Sequence, residues 1–141
     1  MKRLVVDAST LISGVASRPG GGAPWLVLMA LIDFDFEAVV CPKLIEEFRR
    51  GLASRYFQER FDANAMAEIV ASVEEAALHR DEPQEIEPLL RDPGDDYLVA
   101  LARETDAEAI VTGDRDLLDH AGLTPPAIDA RTGCRLLGLI D

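Results

Sequence analysis

Short apolar runs that stop abruptly at acidic residues constrain the fold of this chain more than any other feature. LVV (4–6) ends at Asp7, and AIV (109–111) is followed after Thr-Gly by Asp114. A third run, FEAVVC (36–41), has the same character. Runs of this length, rich in β-branched residues, are typical of parallel strands buried on both faces. The sequence therefore predicts a parallel sheet with acidic residues at the ends of its strands.

Helical segments separate these runs. Pro24 and Pro42 each stand where a helix would begin, and apolar residues recur at helical spacing after Asp62, a residue suited to cap a helix. DDYLVALARET (95–105) predicts another helix. DRDLLDHAG (114–122) predicts a short helix that Gly122 closes. A short edge strand and a last helix are expected to complete the chain. Strands alternating with helices predict a three-layer α/β/α fold with a central parallel sheet of about four to five strands.

Length and composition favour one domain. The chain has 141 residues, of which 48% are hydrophobic and 28% charged, as in globular proteins, and we expect a single domain over residues 1–141. Lys2 and Arg3 are followed by only three apolar residues before the first acid. We therefore expect neither a signal peptide nor a membrane span, and we expect a cytoplasmic location.

Cys41 and Cys134 lack the spacing of a metal site and are expected to be reduced thiols.

The charge is unevenly distributed. A net charge of −12 argues at first sight against a polyanionic partner. Residues 43–60 nevertheless carry five basic and three acidic residues, a balance of +2, whereas residues 81–119 carry thirteen acids and three arginines, a balance of −10. The proline-containing, acidic segment 80–95 predicts a loop. Carboxylates concentrated in this way require a physical explanation.

Several acids are expected to meet at one edge of the sheet. In an open parallel sheet the functional crevice lies beyond the carboxyl ends of the strands, where the strand order reverses, and both Asp7 and Asp114 would lie there. The further candidates from the helices are Glu46, Glu47, Asp92, Asp95, Asp96 and Asp116. Clustered carboxylates are costly unless they share protons or bind a cation, and Mg²⁺ and Mn²⁺ prefer oxygen ligands. The pattern predicts metal-assisted phosphodiester hydrolysis, which needs no protein nucleophile.

Each acid also has a purely structural interpretation. The acids at 92–96 could interact with the positive end of a helix dipole, and Asp116 could cap a short helix. Glu47 could be a solvated neighbour of Arg49 or Arg50. Asp7 is the hardest to explain in this way, because a lone acid at the end of a buried strand has no evident capping role.

Four segments together resemble the PIN domain, a family of metal-dependent ribonucleases that includes the toxins of VapBC-type toxin-antitoxin modules. In the family's order they are LVVDAST (4–10), PKLIEEF (42–48), RDPGDDYLVALA (91–102) and IVTGDRDLL (110–118). The last two most resemble the branch described as toxin components. The sequence has DAS where many members have D-T-N, and the Ser9 hydroxyl can still hydrogen-bond a ligand water.

The resemblance implies roles for individual residues. It implies an acidic quartet of Asp7, Glu47, Asp96 and Asp114, a fifth acid in Asp116, polar supports in Ser9 and Thr112, and metal ligands in Asp7, Asp96, Asp114 and Asp116. Asp92 and Asp95 belong to the same segment as supporting acids, and the choice of Asp96 depends on the alignment of DYLVALA. The resemblance further implies Mg²⁺ or Mn²⁺ as cofactor, endonucleolytic cleavage of RNA leaving a 5′-phosphate, a homodimer, and a small antitoxin protein whose tail can block the site.

Independently of the family, the basic region 43–60 is our hypothesis for binding RNA phosphates or an acidic partner segment. The side chains concerned are Lys43, Arg49, Arg50 and Arg55, and the alternative is a solvated helix face. Two other functions stay open, a non-catalytic binding module with the PIN fold and phosphoaspartyl chemistry of the phosphatase or receiver type. The latter is disfavoured because no D-x-D motif follows the first strand and the only lysines are Lys2 and Lys43.

Overall fold

The structure, a computed structural model, describes residues 1–17 and 19–141. Within these residues five strands form a parallel sheet: β1 (Arg3–Val6), β2 (Glu37–Val40), β3 (Leu78–His79), β4 (Ala109–Val111) and β5 (Ala127–Ile128). Their order is β3-β2-β1-β4-β5. The chain builds outward from β1 on one side and then returns to its other side, so the strand order reverses between β1 and β4. This is the point where a crevice is expected at the carboxyl edge.

Helices cover both faces of the sheet. They are α1 (Ala8–Ala16), α2 (Ala23–Ile32), α3 (Pro42–Leu52), α4 (Arg55–Arg60), α5 (Ala63–Ala76), α6 (Asp96–Glu104), α7 (Arg115–Leu118) and α8 (Ala130–Leu136). A 3₁₀ turn, Pro93–Asp95, leads into α6. In the part of the chain that the structure describes, no helix combines the length and apolar character needed to cross a membrane.

The predicted three-layer α/β/α fold with a parallel sheet is confirmed. The three apolar runs form β1, β2 and β4, and their central residues Val5, Val39 and Ile110 are fully buried. Burial on both faces explains why these strands are continuously apolar rather than alternating. The Asp62 side chain caps α5 by accepting a hydrogen bond from the Ala65 backbone N–H at 3.3 Å.

The structure differs from the sequence expectations at three elements. α1 begins directly after Asp7, whereas Asp7 was expected to have no capping role; its side chain is the N-cap of that helix. β3 was not expected, because a two-residue strand has no alternation to detect, and it is defined by its pairing with β2. α7 ends at Leu118, before Gly122, which instead takes a turn conformation with a φ of 73°.

A close approach between α1 and α3 shapes the carboxyl edge of the sheet. A β-carbon at position 51 would collide with the Ile12 side chain, so the glycine at Gly51 permits this packing. The helix that carries Glu47 is thereby held against the helix that follows Asp7. Two acids from distant parts of the sequence can then face one space.

Candidate functional site

A cleft of about 720 Å³ lies at the carboxyl edge of the sheet. Its lining includes five acidic residues, Asp7, Glu47, Asp95, Asp114 and Asp129, together with Ser9, Thr112 and one basic residue, Arg50. These residues come from the ends of β1, β4 and β5, from α3, and from the turn before α6. The topology thus brings together side chains that are more than 120 residues apart at the extremes, Asp7 and Asp129.

Thr112 links the two acids that follow the central strands. Its hydroxyl donates a hydrogen bond to Asp7 Oδ2 at 2.9 Å and accepts one from the Asp114 backbone N–H at 3.0 Å. Thr112 is fully buried, so its rotamer is held by packing. Asp7 also accepts a hydrogen bond from the Ser9 N–H at 3.4 Å. Thr112 therefore joins Asp7 to the start of α7, and its role as a support of a functional site stays a prediction.

Asp95 lines the same cleft, where it is partly buried among other carboxylates. Burial, followed by the neighbouring Asp7, Asp114 and Asp92 carboxylates, raises the pKa of Asp95 to about 7. Like charges held together in a partly desolvated space favour either a shared proton or a bound cation. The surroundings of Asp95 therefore disfavour its lone negative charge and favour a bound proton or cation.

The structure does not bring Asp96 into the cleft. The Asp96 side chain is 3% exposed and accepts hydrogen bonds from the backbone N–H groups of Leu89, at 3.2 Å, and Leu90, at 2.8 Å. It borders a separate cavity of about 500 Å³ under the acidic loop. Asp95 ends the 3₁₀ turn and Asp96 begins α6, and the two adjacent side chains border different spaces. The structure thus places Asp95, and not Asp96, in one lining with Asp7, Glu47 and Asp114, while the functional role implied for Asp96 stays a prediction.

Two other candidate acids lie outside the cleft lining. Asp92 Oδ1 accepts a hydrogen bond from the Gly94 N–H at 2.8 Å and so caps the 3₁₀ turn that presents Asp95. Asp116 lies in the first turn of α7, where its own N–H donates to Asp114 Oδ1 at 2.9 Å. Both residues organise the segments that carry the cleft acids.

Glu47 faces the cleft from α3 and is bound by Tyr97. The Tyr97 hydroxyl, on a side chain that is 2% exposed, donates to Glu47 Oε1. Burial and the Glu47 carboxylate raise the pKa of Tyr97 well above its ordinary value. The phenol therefore stays protonated and acts as a donor at physiological pH.

The predicted basic residues have acidic or backbone partners. Arg49 pairs with Glu74, Arg50 Nη2 lies 3.5 Å from Glu46 Oε1, and Arg55 Nε lies 2.9 Å from Glu59 Oε1. Lys43 Nζ donates to the Gly94 carbonyl at 2.9 Å. Among the four, only Arg50 borders the cleft. Glu46 and Glu59 already count in the +2 balance of residues 43–60, so among these partners only Glu74 reduces that local excess of positive charge.

Asp129 is a cleft residue that the sequence analysis missed. It follows β5 and caps α8, and hydrogen bonds from Thr132, including one from its N–H to Asp129 Oδ1 at 2.8 Å, lower the pKa of the carboxyl. The sequence does contain a signal for this residue, because Asp129 directly follows a short apolar strand, as Asp7 does. It was weak because β5 has only two residues.

The donor set of the cleft fits a hard divalent cation. The charged side chains of the lining that could coordinate a metal ion are all carboxylates. Cys41 and Cys134 are buried free thiols and are not part of the lining. Within residues 1–17 and 19–141, no three acidic, histidine or cysteine side chains converge as a ready-made ligand group. Mg²⁺ keeps several waters and uses only one or two carboxylates together with substrate phosphate oxygens. The arrangement is compatible with that mode and not with a closed protein cage.

Fold and site together define an α/β domain with an acidic cleft at its topological switch point. A family model described as PIN domain matches residues 3–116, and the chain belongs to this family. The fold is similar to that in the crystal structure of PAE2754 from Pyrobaculum aerophilum, with a TM-score of 0.69 and 19% identity, covering 99% of this chain and 91% of that one. No curated protein was found to match. PIN domains are typically nucleases and usually bind divalent metal ions.

Proposed function

We propose that this protein is an Mg²⁺- or Mn²⁺-dependent endoribonuclease that hydrolyses RNA phosphodiester bonds. The observation that carries the proposal is the cleft that Asp7, Asp95 and Asp114 line together, where burial and the neighbouring carboxylates raise the pKa of Asp95 to about 7. Asp7 and Asp114 each cap the helix that follows their strand, whereas Asp95 makes no capping hydrogen bond and still lines the same cleft. Membership of the PIN family supports the same reaction class.

Asp7, Asp95 and Asp114 supply the carboxylates, one or two of which would hold a metal ion together with waters and substrate phosphate oxygens, and Glu47 faces the same space from α3. A bound Mg²⁺ or Mn²⁺ would supply Lewis acidity, which lowers the pKa of an attacking water and stabilises negative charge on the leaving oxygen. The chain itself orients the Asp7 carboxylate, since the Thr112 hydroxyl ties it to the backbone at the start of α7.

RNA is proposed to enter the cleft past Arg50. This side chain is 73% exposed and its pairing with Glu46 is a surface i,i+4 pair at 3.5 Å, which is weak and exchangeable. It can therefore turn to a substrate phosphate at little cost. Arg49 and Arg55 lie outside the cleft lining and would contribute through longer-range attraction.

The biological setting proposed for the activity is that of a type II toxin in the cytoplasm. In this setting the protein would form a homodimer and be restrained by a small antitoxin protein. These proposals rest on the resemblance of RDPGDDYLVALA and IVTGDRDLL to toxin components of VapBC-type modules. They are tested by co-purification with the product of a neighbouring gene and by the mass of the purified protein in solution.

The decisive experiment measures cleavage of a mixed set of labelled RNAs with Mn²⁺, Mg²⁺ or EDTA. The native protein is compared with Asp7→Asn/Asp114→Asn, in which two carboxylate charges are removed without a change of side-chain size. Asp62→Asn is the matched control, because Asp62 is a helix N-cap like Asp7 but lies outside the cleft lining, and asparagine caps a helix as well as aspartate.

Metal-dependent cutting by the native protein and by Asp62→Asn, lost in the double variant, is the expected result. Equal cutting by all three proteins, insensitive to EDTA, would overturn the assignment. Absence of cutting by the native protein despite Mn²⁺ binding would favour the alternative of a PIN-fold binding module.

A further inference from the structure

Three side chains join the start of α6 to α3 behind the cleft. The Tyr97 hydroxyl donates to Glu47, and the Lys43 ammonium lies 4.4 Å from the centre of the Tyr97 ring while donating to the Gly94 carbonyl at 2.9 Å. Tyr97 is 2% exposed and Glu47 is partly buried. Lys43, Tyr97 and Glu47 thus form a continuous set of contacts, called here the brace.

The brace connects the two segments that bring acids to the cleft from outside the central strands. Glu47 comes from the middle of α3, and Asp95 comes from the turn between Gly94 and Tyr97. Gly94 is held by Lys43 on one side of Asp95, and Tyr97 follows it on the other. A shift of the backbone around Asp95 relative to α3 would therefore break a contact of the brace.

We infer that Tyr97, supported by Lys43, is a positioning residue that fixes Glu47 and Asp95 relative to each other in the cleft. This inference rests on the proposed metal-dependent activity. A core position filled for packing alone would need no hydroxyl, and phenylalanine would serve as well. The buried phenol instead places its one donor on the carboxylate of a cleft acid, where it limits rotation of the glutamate side chain.

The physical basis is the cost of a loose carboxylate. A glutamate has three side-chain torsions, and a hydrogen bond from a fixed neutral donor restricts them before metal or substrate arrives, so less ordering is needed at that moment. Misplacement of a catalytic group by about 1 Å can reduce a rate by about a hundredfold. Removal of the hydroxyl should thus affect the reaction more than the fold.

The inference also gives Lys43 a role other than the RNA or partner contact expected from the sequence. Its ammonium already has a carbonyl partner and an aromatic face within the protein. Lys43→Met keeps most of the aliphatic stem and removes the charge. A positioning role predicts that Lys43→Met lowers kcat with little change in KM. A role in RNA binding predicts a higher KM with little change in kcat.

The test is a double-mutant cycle of Tyr97→Phe and Glu47→Ala, read in two ways. The first is the affinity of the metal-free protein for Mn²⁺ by calorimetric titration, and the second is the steady-state kinetics of RNA cleavage. Tyr97→Phe should weaken Mn²⁺ binding about threefold or more and lower kcat about tenfold, with KM within about twofold. In the Glu47→Ala background the same substitution should change neither quantity further. Tyr56→Phe removes a hydroxyl from an exposed tyrosine and is the matched control.

Values for Tyr97→Phe within about twofold of native would overturn the inference, as would effects that simply add to those of Glu47→Ala. Either result in a protein that binds Mn²⁺ and cuts RNA would leave the proposed function intact. A native protein that neither binds Mn²⁺ nor cuts RNA would overturn both together, so the two failures are distinguishable.

Discussion

Two adjacent aspartates at the start of α6 occupy opposite kinds of surroundings. Asp95 faces the cleft, where Asp7 and Asp114 add negative charge and the pKa rises to about 7. Asp96 faces the space under the acidic loop, where it is 3% exposed and accepts hydrogen bonds from Leu89 and Leu90. Asp95 thus has like-charged neighbours, whereas Asp96 accepts two backbone hydrogen bonds at one carboxylate oxygen.

The difference separates a carboxylate available to a ligand from one already used by the fold. A buried carboxylate that accepts backbone N–H groups is satisfied and holds a loop in place. A carboxylate among other carboxylates is destabilising until a cation or a proton arrives. We therefore expect Asp95 to matter for activity and Asp96 for stability.

The largest expected effect is on activity. Asp95→Asn should lower kcat/KM for RNA cleavage by at least about a hundredfold, because metal ligation contributes several kcal/mol to the stabilisation of transition-state charge. Asp96→Asn should stay within about tenfold of the native protein per folded molecule, since its amide oxygen can still accept hydrogen bonds. Initial rates with saturating Mn²⁺, normalised to the folded fraction from circular dichroism, check this.

A greater loss for Asp96→Asn than for Asp95→Asn would contradict the comparison. It would indicate that the side chains exchange places when metal binds, and would restore Asp96 to the quartet implied by the family resemblance. Mn²⁺ affinities of the two variants decide between these arrangements without recourse to turnover.

The second expected effect is on stability and has the opposite order. Asp96→Ala should lower the free energy of unfolding by about 2 kcal/mol, because it leaves the N–H groups of Leu89 and Leu90 without their partner in a partly buried place. Asp92→Ala removes a similar bond, to Gly94, at an exposed turn and should cost about half as much. Urea unfolding of both variants in EDTA measures the difference, and equal losses would mean that the loop does not depend on Asp96.

Much of the fold could be predicted from the sequence because burial on both faces leaves a clear signature. The runs that form β1, β2 and β4 are continuously apolar, and Asp62 marks the start of α5 by its capping chemistry. β3 and β5 could not be delimited, because two residues carry no pattern and their existence depends on pairing with a neighbouring strand.

The site was predictable where it follows strand ends and unpredictable where it depends on helix rotation. The ends of β1 and β4 place Asp7 and Asp114 by topology alone. Around α6 the sequence supplies acids at successive positions, and a difference of one residue turns the side chain through about 100°. Only the packing of Tyr97 into the core, and with it the orientation of α6, decides which acid faces the cleft.

The smallest expected effect is the pH dependence of stability in the metal-free protein. In the folded state the pKa of Asp95 is about 7, against an ordinary value of 3.8 for the unfolded chain. Below pH 4 both states hold the proton and Asp95 costs nothing. Between pH 4 and 7 the unfolded state releases its proton first, so the native protein loses stability as the pH rises. Asp95→Asn lacks this loss and should be more stable than native by about 1 kcal/mol at pH 8, a figure reduced for partial solvent exposure.

Urea unfolding in EDTA between pH 4 and 8 checks this, and the gain should vanish at the acidic end. Asp129→Asn is a control of opposite sign, because hydrogen bonds from Thr132 lower the pKa of Asp129. Its carboxylate stabilises the fold above the unfolded pKa and loses that contribution as the pH falls, so Asp129→Asn should be least harmful in acid. With saturating Mn²⁺ the native protein should instead be more stable than Asp95→Asn, because metal binding stabilises the native protein and not the variant. A pH-independent difference between native and Asp95→Asn would mean that the cleft carboxylates do not repel one another.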